Sequence, residues 1–283
     1  MRFRRKSGEY PNLLDRDVLT GGVICLWRNP ADKCFKDMDV WEISENWNST
    51  DDIAEAYNAI ESREKELEGK HRFAWDPDFG YLSPEPSHCG TGLHVQGEFH
   101  LEALNLIGDL NPVLNGIEAM RFACHGIVED GIRDAAHFYR IFNLATLGIA
   151  ERELLKRARR LFDDLITQEN NARRALVEDS PRILEDSVSR ALAILQHARL
   201  LAPGELLDLL SPICLGATLG FLDGITRSET IKLMRAQFNT PSLPSNCAED
   251  DRKRDARDAA LADRINKRFS KVAFNDYADD CLR

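Results

Sequence analysis

Five side chains of metal-binding type fall in two short stretches, His88, Cys89 and His94 in one, Cys124 and His125 in the other. Imidazole and thiolate are ligands that suit zinc, yet the spacing fits no standard zinc motif, so no metal site is assigned. Between them, Gly90-Thr-Gly92 on its own is a tight turn. Cys25 and Cys214 have nothing beside them in sequence that would lower a thiol pKa and read as small buried residues. The run Asp250-Asp-Arg-Lys-Arg-Asp-Ala-Arg-Asp258 on its own reads as a solvated helix face.

The chain of 283 residues is long enough for one large domain or two modest ones. Hydrophobic residues at 43% and charged residues at 30% are ordinary for a globular protein. A net charge of −10 argues against a nucleic-acid partner, because no broad basic surface is implied to neutralise phosphates. No apolar run has the length to span a bilayer, and the basic start lacks the apolar core of a signal peptide. Seven scattered cysteines without CxxC pairs read as reduced thiols. The expected location is the cytoplasm, with no membrane partner.

The elements that must position these residues separate into three regions. Residues 1 to about 48 are irregular, with β-like runs at Val18-Leu19 and Val23-Ile-Cys-Leu-Trp27. Ser49-Thr-Asp-Asp52 opens a helix carrying Ile53, Ala56, Tyr57 and Ile60 on one face and stopping at Gly69. A long helix is predicted over Leu101 to Leu114 with a break near Pro112. Beyond residue 131 helices dominate: Leu154, Leu155, Ala158, Leu161, Phe162, Leu165 and Ile166 mark one apolar face, and Ile183, Leu184, Val188, Ala191, Leu192 and Leu195 another. Thr240-Pro-Ser-Leu-Pro-Ser-Asn246 reads as a linker before a charged helical tail.

Gly80-Tyr-Leu-Ser-Pro-Glu-Pro-Ser-His-Cys-Gly-Thr-Gly-Leu-His94 resembles the guanido phosphotransferase signature G-Y-L-T-x-C-P-[ST]-N-x-G-T-G-L-R. Gly126-Ile-Val-Glu-Asp-Gly131, Asn143 with Thr146-Leu-Gly148, Leu184-Glu-Asp186 with Arg190, and Leu215-Gly216 with Leu219-Gly220 follow in the order of the bacterial protein-arginine kinases. Upstream, Val18 to Asn29 looks like the family's S-S-R-x-R-x-x-R-N strand, and Asp39-Val-Trp-Glu-Ile43 is similar to its E-D-H-L-R-I segment. In the family a long stretch separates those two motifs, whereas only Pro30 to Met38 intervene here. The chain is thus identified as a degenerate, shortened relative of these ATP:guanido phosphotransferases.

The resemblance implies a site and its loss. Family members hold the ATP triphosphate with arginines, and the matching positions here are Val23, Cys25, Arg28, Glu42, His94 and His125. Arg28, His94 and His125 are the ATP-binding remnant. The family's guanidinium-orienting cysteine matches Glu85, and its two carboxylates match Met38 and Asp130, so Glu85 and Asp130 are the degenerate catalytic positions. Arg254-Asp-Ala-Arg-Asp-Ala259 resembles the R-D-x-x-R-A motif that binds phosphoarginine: Arg254 and Asp255 match, Asp258 replaces the second arginine, and Arg257 is one residue away.

The implied fold is α/β: a truncated catalytic-type domain with an antiparallel sheet over residues 1–148, a helical domain over 149–240, and a linker with charged tail over 241–283. The expected function is that of a pseudokinase recognising a protein partner, phosphoarginine-marked or a catalytic relative, as a homo- or heterodimer and without a cofactor. The alternative is an active protein-arginine kinase with a rebuilt site that uses ATP and Mg.

Overall fold

The computed structural model describes residues 18–31, 41–126, 135–238 and 251–274. Met38, Asp130 and the linker at 240–246 lie outside these residues. A five-stranded antiparallel sheet is built from β1 (Leu19–Arg28), β2 (Trp41–Trp47), β5 (Leu93–His100), β6 (Phe122–Gly126) and β7 (Phe138–Asn143), in the order β2-β1-β5-β7-β6. β3 (Trp75–Asp76) and β4 (Gly80–Tyr81) form a small hairpin beside it. The two β-like runs predicted before residue 28 are one strand, interrupted by a register shift between Leu19 and Gly21.

Side chains alternate across a strand, so each sheet face follows from parity. Ile24, Leu26, Ile43, Trp47, Leu93, Val95, Phe99, Tyr139 and Ile141 are buried on one face. That face packs against α1 (Ile53–Glu68) and the long α4 (Glu151–Asp179), where Phe162 stacks on Trp47 at 5.6 Å and lies 5.2 Å from Phe99. Gly22 is required by this packing, since a Cβ there would stand 2.2 Å from the Trp47 ring. The start of α1 agrees with the predicted cap: Ser49 and Asp52 form a reciprocal capping box, and Gly69 follows the last helical residue.

The predicted helix over Leu101 to Leu114 is in fact two, α2 (Glu102–Ile107) and α3 (Leu110–Ala119). The break falls at Gly108, whose φ of +85° is a left-handed helix cap. Pro112 sits in the first turn of α3, where a missing N–H costs nothing, so it does not interrupt the helix.

The rest is helical: α4, α5 (Pro181–His197), α6 (Pro203–Thr218), α7 (Arg227–Phe238) and α8 (Asp251–Phe269), with a short pair β8 (Leu222–Asp223) and β9 (Ala273–Phe274). The predicted apolar faces of α4 and α5 are buried at Leu154, Ala158, Leu161, Phe162 and Leu165 and at Leu184, Val188, Ala191, Leu192 and Leu195, with Leu155 and Ile166 partly buried, whereas Ile183, predicted on the α5 face, is exposed because it lies in the first turn on the outward side. α4 serves both halves. Leu154 to Leu165 lie in one continuous core with the sheet, while Glu169, one turn on, caps α2 by accepting from the Ala103 and Leu104 amides at 3.1 and 3.0 Å. Arg173 Nε donates to the same carboxylate at 3.0 Å, and both side chains are fully buried. Burial pushes the Glu169 carboxyl up from its ordinary range, against the pull of Arg173 and the two amides.

Glu169→Ala would strand the Arg173 charge and two amides. It is expected to cost about 3–5 kcal/mol in urea unfolding, with Glu169→Gln less damaging. A loss under about 1 kcal/mol would contradict this role for the pair.

Candidate functional site on the open face of the sheet

The face turned away from the helical core carries five of the six positions aligned with phosphate-holding arginines. Cys25 lies opposite His94 on β5 and Ser44 on β2; Glu42 lies opposite Trp27; Val23 lies opposite Gln96. Val23, Cys25, Glu42 and His94 therefore share this face with Arg140 on β7 and, through it, His125 on β6. His94 and His125 do not meet, however. His125 is level with Glu98, four residues along β5 from His94 and two strands away, a separation on the order of 16 Å. They cannot share a metal ion or one phosphoryl group. Among the described residues, no group of three or more His, Cys, Asp or Glu side chains is disposed to hold a metal.

The chemistry around Cys25 is that of proton donors and a carboxylate, not of fixed cations. The Cys25 thiol donates to Glu42 Oε1 at 3.4 Å, and burial together with that carboxylate pushes its pKa up to about 12. Burial lowers the His94 pKa, in spite of the Ser87 carbonyl 3.1 Å from Nε2, so its imidazole is uncharged at neutral pH. His88 stacks flat on Trp27 at 4.4 Å and meets the His94 ring edge-on at 5.3 Å. Farther along the same face, a cavity of about 550 Å³ lies between the sheet and α7, lined in part by Gln96, Glu98, Arg140 and Arg235. Its two arginines are already taken, Arg140 by Glu98 at 3.3 Å and Arg235 by Glu98 and the Thr20 carbonyl at 3.5 and 3.3 Å.

Arg28, the one arginine kept, is turned the other way. It shares parity with Ile24 and Leu26, and only 1% of it is exposed. Its Nε donates to Glu64 of α1 in a short hydrogen bond, and Nη1 donates to the Trp27 and Thr91 carbonyls at 2.9 and 2.8 Å. Nη2 faces Glu151 of α4 at 3.7 Å, and the guanidinium lies 3.6 Å over the Tyr81 ring. Gly92 makes room for it, because a Cβ there would come within 2.8 Å of Nη1. As placed, Arg28 is a structural residue rather than a phosphate ligand. The signal for this was the strand alternation Ile24, Leu26, Arg28, which places it on the core side.

The other predicted positions are dispersed. Glu85 is exposed at the start of a 3-10 turn over Pro86–His88, where it accepts from Ser87 Oγ at 2.8 Å and lies 3.7 Å from His88 Nδ1. Asp130 lies outside the described residues. Arg254, Asp255 and Arg257 are exposed in the first turns of α8, which packs on α5; Arg257 Nε donates to Asp258 at 3.2 Å. Of those within the described residues, none lines the cavity over the sheet.

Residues 45–172 match the family model described as ATP:guanido phosphotransferase, C-terminal catalytic domain, and residues 181–279 match that of the protein-arginine kinase McsB C-terminal domain. The chain belongs to the ATP:guanido phosphotransferase family, in its protein-arginine kinase branch. Protein-arginine kinases of Clostridium acetobutylicum and Halalkalibacterium halodurans are 28% and 35% identical to it over 182 and 168 residues. These alignments cover 64% and 59% of this chain and 54% and 47% of those proteins. That of Caldanaerobacter subterraneus is 30% identical over 181 residues, covering 64% of this chain and 51% of the relative. This family member thus spans about half the length of the curated relatives it matches. Among the described residues no helix is long and apolar enough to cross a membrane.

The Cys25–Glu42 contact predicts an alkaline limb in stability. A thiol that titrates near 12 when folded, against an ordinary 9.0, contributes fully below about pH 9 and loses that contribution as pH rises toward 12. Urea midpoints measured from pH 8 to 11.5 should fall, and Cys25→Ser should flatten part of the fall. An unchanged slope in the variant would show that the thiol is not the titrating group.

Proposed function

We propose that this chain is a non-catalytic member of its family, which recognises a protein partner, phosphoarginine-marked protein in particular, through helices α5 to α8. The observation that carries the reading is the charge of the open sheet face. Five positions that should hold arginines have Val23, Cys25, Glu42, His94 and His125, and the sixth, Arg28, is consumed by Glu64 and two carbonyls. A charge-assisted hydrogen bond contributes about 1.5–3 kcal/mol. Five such losses amount to about 7–15 kcal/mol before non-additivity, more than the about 4–8 kcal/mol of ordinary millimolar to micromolar nucleotide binding. Glu42 adds repulsion, and a neutral His94 offers no compensation.

Support for recognition comes from the helical half, whose match to the McsB C-terminal domain is retained along with Arg254 and Asp255. A dianionic phosphoryl group needs a cation, which Arg254 or Arg257 supplies, and Asp255 suits the guanidino nitrogens. No cofactor is needed for this role. The competing reading, ATP- and Mg-dependent phosphorylation of protein arginine, would have to work with Glu85, Asp130, Arg28, His94 and His125.

Two measurements separate them. Incubation with Mg-ATP and a protein substrate is expected to yield no phosphoarginine by mass spectrometry; its ATP-dependent appearance would establish the kinase reading. A phosphoarginine peptide should bind better than its unmodified counterpart, with Arg254→Ala weakening it by about 1.5–3 kcal/mol and Glu85→Ala leaving it unchanged. Equal binding of both peptides would remove the reader role and leave a heteromeric partner.

A further inference from the structure

β2 is the outer strand of the sheet, bonded to β1 along one side. In an antiparallel pair, residues whose N–H and C=O face the neighbour alternate with residues whose groups face away. Two hydrogen bonds fix the phase. The Trp27 amide donates to the Gly92 carbonyl on the β5 side, so Trp27 and its partner Glu42 are not bonded to each other across β1 and β2. Arg63 of α1 donates to the Ser44 carbonyl at 3.0 Å from outside the sheet, which gives Ser44 the same phase. The main-chain groups of Glu42, Ser44 and Asn46 therefore point away from β1. Apart from that one bond they have no partner among the described residues.

A row of free amides and carbonyls on a strand is a template for another strand, and sheets commonly blunt such an edge with proline, a bulge or a covering segment. Trp41–Trp47 contains no proline, and its register with β1 is unbroken. Beside the edge, an open groove of about 420 Å³ runs between Ile43 and Ser44 of β2 and Leu67 and Lys70 near the end of α1. An added strand would set alternate side chains over this groove, where Leu67 is partly buried, and the others beside Glu42, Ser44 and Asn46 on the open face. The charges about the edge select the occupant. Arg63 pairs with Glu45, which leaves the Glu42 and Glu66 carboxylates against Lys70 in a chain of net charge −10. Aliphatic residues alternating with cationic ones suit both sides.

We propose that the outer edge of β2 is a docking site for an extended segment of a partner protein, in which aliphatic and cationic residues alternate and which joins the sheet as a further strand. Arg63 is then a latch, holding the Ser44 carbonyl until an amide of the segment takes its place. The site is built from β2 and α1, so the inference goes beyond the recognition role of α5 to α8 and does not depend on it.

The probe is a capped heptapeptide of alternating valine and lysine, titrated by calorimetry into the full chain. Saturable binding is expected with a dissociation constant below about 1 mM, and the valine–glutamate counterpart should bind at least about tenfold more weakly. Ser44→Pro removes an outward N–H and no bond to β1, so it should weaken binding at least about tenfold. Ser44→Ala keeps that N–H and should stay within about threefold of wild type. Arg63→Met releases the Ser44 carbonyl and should tighten binding about threefold. Urea unfolding checks that each variant is folded. Should Ser44→Pro not fold, N-methylation of the peptide at its valines alone or its lysines alone replaces it. Only one of the two sets faces β2, so one methylated peptide should lose at least about tenfold and the other should keep its affinity. No saturable binding of the valine–lysine peptide overturns the proposal. So does a folded Ser44→Pro that binds as wild type does, or equal affinity of the two methylated peptides. A wild-type dimer that Ser44→Pro dissolves also overturns it and gives the edge to a second copy. Neither phosphoarginine nor nucleotide enters these readouts, so this failure is distinguishable from failure of the recognition role.

Discussion

The buried guanidinium of Arg28 ties together four parts of the molecule that are distant in sequence. It ends β1, pairs with Glu64 on α1, faces Glu151 at the start of α4, and donates to Thr91 in the loop that carries the glycine signature. An ion removed from water is tolerable only when it is paired, and removal of one partner leaves a penalty of about 3–5 kcal/mol. The retained Gly92 is explained by this contact as much as by any ligand, since the close approach of Nη1 leaves no room for a Cβ.

The consequence reaches across the sheet. Antiparallel pairing still delivers Val23, Cys25, Glu42 and His94 to one face, so the geometry that would gather phosphate ligands survives. The charge does not. Cys25 is held protonated beside Glu42, His94 is held neutral by burial, and the two arginines over the nearby cavity share the single carboxylate of Glu98. The stretch around Cys25 and His94 offers a triphosphate no fixed cation, which supports the proposal that recognition falls to the helical half.

Much of the fold was legible because it depends on local patterns. The cap at Ser49, the stop at Gly69 and the apolar stripes of α4 and α5 are short-range signals, and each is found where expected apart from Ile183, which the start of α5 turns to solvent. The helix break was misplaced because proline is the stronger breaker in general, whereas Pro112 falls where its missing donor does no harm and Gly108 supplies the left-handed cap. Site assembly was less legible. The partner of Arg28 lies 36 residues away, and the distance between His94 and His125 is fixed by strand order and register, which no local pattern encodes. The Glu169–Arg173 pair was missed because two charged residues in a charged helix look solvated until the start of α2 is known to rest on Glu169.

The central claim is that the sheet face has lost its phosphate ligands, and calorimetric titration of the full chain with Mg-ATP tests it most directly. The account predicts no saturable heat up to millimolar nucleotide. A one-site isotherm with a dissociation constant below about 100 μM would contradict it, because binding of that strength needs more than the two arginines that share Glu98 on this face.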